Sequence, residues 1–100
     1  MATAPVHQKL TRLSLPKLQA QAHQGNADAQ FVLGQRYHKG RGVRRNVSKA
    51  VQWYRQAAAK EQSGAQCLLG YCFYSGEGVR KDYREAVRWY LKAARQGNPI

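Results

Sequence analysis

The chain has 100 residues, 43% of them apolar, and carries seventeen Lys and Arg against five Asp and Glu, a formal charge of +12. That length leaves room for one small domain, the apolar share argues against wholesale disorder, and the charge favours acidic partners without choosing among protein, nucleic acid and anionic lipid. No apolar run reaches the roughly 20 residues of a membrane span, and two cysteines, Cys67 and Cys72, are too few for a disulfide framework.

Residues 1–9 are polar and lack the apolar core of a secretory leader, so they read as a flexible N-terminus of a cytoplasmic protein that does not engage a membrane. Residues 10–26 then read as one amphipathic helix. Ser14 is a candidate N-cap, Pro16 is tolerable in the first turn, and Gly25 is a stop. Beyond it the chain repeats. Residues 25–60 laid over 61–96 match at fourteen places, where unrelated stretches share about two. Repetition at this period predicts a solenoid, in which each unit buries its apolar face only against its neighbours.

The first unit spans 27–60 and the second 61–97, each reading as two helices. In the first helices Ala29, Leu33 and Tyr37, and Ala65, Leu69 and Phe73, share one face at four-residue spacing. Gly34 and Gly70 lie inside these helices, where glycine costs up to about 1 kcal/mol, so they predict a close helix–helix approach. In the second helices Ala50, Trp53, Tyr54, Ala57 and Ala58 form an apolar stripe repeated by Ala86, Trp89, Tyr90, Ala93 and Ala94. Trp53 and Trp89 therefore read as packing, and Asn46 and Asp82 as N-caps. Residues 98–100 read as the remnant of a further unit.

Between the helices, Gly40-Arg41-Gly42-Val43 becomes Gly76-Glu77-Gly78-Val79. A phosphate-binding glycine loop needs a strand before it and a third glycine, and Glu77 is a poor neighbour for an anion. Gly40, Gly42, Gly76 and Gly78 are therefore read as turn formers, adopting backbone angles closed to other residues.

The combined pattern, AQxxLGxxYxxGxGV followed by AxxWYxxAA, resembles the Sel1-like repeat family, relatives of tetratricopeptide repeats. The two units match it nearly throughout, with Asn46 for the usual Asp, Phe73 for Tyr and Glu61 for the glycine between repeats. The resemblance implies an all-α, right-handed α/α superhelix that binds proteins and performs no catalysis. Cysteine-rich members of the family carry a disulfide in each repeat, but Cys67 and Cys72 face Phe31 and Arg36 in the first unit, so that subgroup is not matched.

Helical geometry then selects a surface. With Ala29, Leu33 and Tyr37 inward, Phe31, Gln35, His38 and Lys39 face away, as do Cys67, Tyr71, Tyr74 and Ser75 in the second unit. These positions vary between the units and are the expected concave, partner-binding face, with Phe31 and Cys67 also suited to packing between units. Arg36, Arg41, Arg44 and Arg45, clustered at the first loop, are the expected electrostatic docking site. His7, His23 and His38 are scattered and no nucleophile motif occurs, so no metal, cofactor or catalytic centre is expected. Cys67 and Cys72 read as a packed small residue and a variable surface one. The favoured function is binding of a protein with an acidic surface, as adaptor, inhibitor or immunity-type protein. The alternative is nucleic-acid binding through the basic loop 36–45 and the basic helix faces. The open end of the last helix adds expectations of self-association, of a covering partner or of continuation in a longer array.

Overall fold

The structure is a computed structural model, and it describes residue 10 and residues 12–97. The expected flexible stretch 1–9 and the remnant 98–100 lie outside the described residues. Five helices follow in chain order: α1 Leu15–His23, α2 Ala27–Lys39, α3 Val47–Ala59, α4 Ser63–Ser75 and α5 Tyr83–Arg95. Each packs on its neighbour in sequence, α1 on α2, α2 on α3, α3 on α4 and α4 on α5. The fold is the all-α superhelix that the repeat implies, with α1 as a lone second-type helix ahead of two helical pairs.

Local chemistry sets the helix ends. Asn46 accepts Lys49 N–H at 3.0 Å, and Asp82 accepts Arg84 and Glu85 N–H at 3.0 and 3.2 Å, as the N-cap reading requires. Ser14 departs from expectation: it occupies the N-cap of α1, yet its side chain makes no cap bond. Pro16 removes one of the two backbone N–H groups such a side chain normally serves. Asn26 and Gln62 supply caps that the sequence reading omitted, accepting Ala29 and Ala65 N–H at 3.0 and 2.6 Å.

Two adjoining clusters form the core. One gathers Leu10, Leu18, Ala22, Ala29, Val32 and Leu33; the other joins α3, α4 and α5 through Val51, Tyr54, Leu69, Cys72, Phe73 and Ala86. Trp53 and Trp89 pack against these clusters, partly buried, and Trp53 meets His23 edge-on at 5.3 Å. The interior glycines mark close approaches. A Cβ on Gly34 would lie 2.6 Å from the Tyr54 ring, and one on Gly70 2.9 Å from the Tyr90 ring. The loop glycines turn the chain, with Gly40 and Gly76 in left-handed backbone at φ +72° and +78°, and Gly42 and Gly78 at +74° and +71°.

Each unit is also pinned to the one before it. Gln30 and Gln66, at the same place in α2 and α4, donate through Nε2 to the carbonyls of Ala22 and Ala58, near the ends of α1 and α3. These bonds satisfy carbonyls that a helix end leaves open, so the stacking register is written by hydrogen bonds as well as by packing.

Candidate interaction surface

The first helices α2 and α4 meet where the Phe31 ring lies over Gly64, 2.7 Å from the place a Cβ would take. Phe31 also approaches Tyr54 at 6.4 Å between ring centroids and is partly buried, so it belongs to the packing between units. Among the other residues expected on this surface, Gln35, Cys67 and Ser75 are half-buried, Lys39 is exposed, and Tyr71 and Tyr74 are 42% and 55% exposed. Of the two cysteines, Cys72 is the packed one, and burial pushes its thiol up to about 11.

A polar network spans the seam between the units. His38 Nδ1 lies 3.1 Å from the Tyr54 hydroxyl, and Nε2 lies 3.1 Å from Glu77 Oε1. A carboxylate only accepts, so Nε2–H donates to Glu77, and in the neutral ring Nδ1 accepts from Tyr54 O–H. The Ser75 hydroxyl donates to the other Glu77 oxygen at 3.2 Å, and Arg45 approaches at 3.9 Å. Hydrogen bonds from His38 and Tyr71 hold the Glu77 carboxyl below its ordinary value, while Glu77 raises the Tyr71 hydroxyl. Burial raises the Tyr54 hydroxyl further still. Sequence reading had placed His38 on an open face and given Glu77 no task; the structure joins them.

The four docking arginines separate into two kinds. Arg36 donates to the Leu13 carbonyl and Arg45 Nε donates to the His38 carbonyl at 3.0 Å, so both hold the chain together. Arg41 and Arg44 are exposed. Val32, Gln35, Arg36, Lys39, Arg41 and Gly42 line a cleft of about 250 Å³ with three cations on its walls. The inner surface thus offers tyrosines beside a basic cleft, a combination able to hold an acidic polypeptide. Among the described residues, no group of three or more His, Cys, Asp or Glu side chains is placed to hold a metal ion. No helix among them is long and apolar enough to cross a membrane.

The model of the Sel1 repeat matches residues 27–61 and 63–98. No curated protein matches the chain. Three solved structures are similar. A protective antigen of uropathogenic Escherichia coli with an SLR fold is 40% identical at a TM-score of 0.83, over 84% of this chain and 18% of that one. A Sel1 repeat protein from Oxalobacter formigenes is 38% identical at 0.76, over 83% and 62%. Helicobacter pylori cysteine rich protein B is 31% identical at 0.80, over 91% and 65%. The chain spans less than two thirds of each of these proteins.

Proposed function

The chain belongs to the Sel1 repeat family, whose members generally mediate protein–protein interaction and are typically non-catalytic, and from that premise we propose that it binds a protein partner with an acidic surface. The observation that carries this reading is the exposure of Tyr71 beside the cleft walled by Arg36, Lys39 and Arg41. Tyrosine buries a large amphipathic area at little entropic cost, and flanking cations steer an acidic partner and reject basic ones. The units are held together by Phe31, His38 and Glu77, so the surface is ordered before a partner arrives. Pre-ordering lowers the entropy lost on binding.

The test is a nuclease-treated pull-down from the native host's lysate, washed at moderate salt, with wild-type and Tyr71→Ser chains as baits. One stoichiometric acidic protein held by the wild type and lost by the variant supports the reading. Arg41→Ser should chiefly slow its association. Retention of nucleic acid in the absence of nuclease, with no protein beside it, overturns the proposal.

A further inference from the structure

Every large apolar residue that is exposed among the described residues lies in the second unit: Tyr71, Tyr74, Tyr83, Val87 and Leu91. All but Tyr71 fall on the end of the superhelix, away from the inner surface. Their counterparts 36 positions earlier are His38, Val47, Val51 and Arg55. Those four residues make the seam between the units. His38 bonds Glu77, and Val47 and Val51 lie against Gly78, whose added Cβ would meet Val47 O at 2.8 Å and Val51 at 2.9 Å. Arg55 lies over the Phe73 ring at 5.3 Å. The carbonyl of Ala58 completes the seam by accepting Gln66 Nε2. Its counterpart Ala94 O accepts Gly97 N–H at 2.9 Å, as Ala58 O accepts Glu61 N–H at 3.0 Å, and a carbonyl has a second lone pair for a glutamine. The end face therefore repeats, position by position, a surface that already holds a helix.

Charge says which helix. At 3.6 residues per turn, Tyr83, Val87, Tyr90, Leu91 and Ala94 occupy one arc of α5, and Arg84, Arg88, Lys92 and Arg95 line the arc next to it. The covered helix α3 has Ser48, Gln52, Gln56 and Ala59 at those four places. The end face has thus gained a row of cations that the internal seam lacks. A second copy of the chain would bring another +12 against it. In an antiparallel α5–α5 pair the two cation rows would also lie on the same side.

We propose that this end face docks an acidic amphipathic helix of another protein. The helix seats an alanine and a leucine over Val87 and Tyr90, donates a glutamine to Ala94 O, and sets its carboxylates against Arg84, Arg88, Lys92 and Arg95. This surface is independent of the inner one, and Tyr71 has no part in it.

The probe is a synthetic helical peptide with the Ala-Gln-x-x-Leu-Gly order of Ala65–Gly70 and glutamates along the flank facing the cations, titrated into the full chain by calorimetry. Saturable one-to-one binding is expected, weakened on the order of tenfold or more by Val87→Asp or Leu91→Asp and unchanged by Tyr71→Ser. Both substituted side chains are more than half exposed, so the variants keep their core, and circular dichroism checks that they fold. A twin peptide with lysines on the flank should bind more weakly at low salt. No binding, equal binding by the lysine twin, or binding that survives Val87→Asp overturns the proposal. So does a chain that ignores the peptide but self-associates, or adheres to anionic phosphatidylglycerol vesicles, through the same residues.

Discussion

Glu61 is, among the described residues, the one non-glycine with positive φ, at +66°. Gly25 and Gly97, one unit earlier and later, occupy the same turn at φ +94° and +84°. Left-handed backbone costs an ordinary L-residue about 1–2 kcal/mol, because Cβ crowds the carbonyl. Against relief of that cost, Glu61→Gly gains freedom in the unfolded chain and loses the 3.3 Å bond from Gln66 Nε2 to the carboxylate. The balance favours the glycine by about 0.5 kcal/mol, a rise of about 2–4 °C in Tm for a chain of this size. Thermal denaturation of Glu61→Gly and Glu61→Ala separates the causes, since alanine keeps the strain and should not gain. A lower Tm for the glycine variant would show that the Gln66 bond outweighs the backbone strain.

At the scale of the helix pair, the interior glycines make a contrast. Gly34 faces Tyr54, which is fully buried and held through its hydroxyl by His38, so a methyl group 2.6 Å from that ring has nowhere to go. Gly34→Ala should lose roughly 1–3 kcal/mol to overpacking, less up to about 1 kcal/mol of helix propensity. Gly70 faces Tyr90, which is only half-buried at the open end and has room to turn aside, so Gly70→Ala should be nearly neutral. Urea midpoints measure both, and equal losses would show that the Ala50 and Ala86 carbonyls, 3.3 and 3.2 Å from the added methyl groups, decide the cost instead. The same pair shows what a sequence can disclose. Apolar spacing and the 36-residue repeat make the helices, the close-approach glycines and the Asn46 and Asp82 caps legible. Val51 and Val87 stand at identical places in identical patterns, yet one is 2% and the other 54% exposed. Periodicity tells which side of a helix is apolar, not whether another helix covers it. Likewise Tyr71 could be read as exposed from helical angles alone. The ties of His38 and Arg45 to Glu77 join residues 39 and 32 positions apart, and nothing local announces them.

Across the whole molecule, these ties bear on how the units unfold. With five acids in a chain of +12, carboxylates are scarce, and Glu77 is the one that crosses the seam. The core already runs from α3 through α4 to α5, so the units share apolar contacts; Glu77 adds a charged contact beside them. Because its folded pKa is lowered, its contribution is fully present above the ordinary value of 4.5 and is lost as the pH falls through the lowered value. Glu77→Gln keeps an acceptor for His38 but loses the charge, and a third of the side chain meets solvent, so the cost at neutral pH should be modest, about 0.5–1 kcal/mol. Wild type should therefore melt above Glu77→Gln at pH 7, and the two curves should converge in acid, below the ordinary range of glutamate. His38→Ala should abolish most of the difference, because His38 is the first cause of the lowered pKa. A gap between wild type and Glu77→Gln that stays constant from pH 7 to pH 3 would place the effect in packing, leaving the seam to Phe31, Gly78 and the glutamine bonds alone.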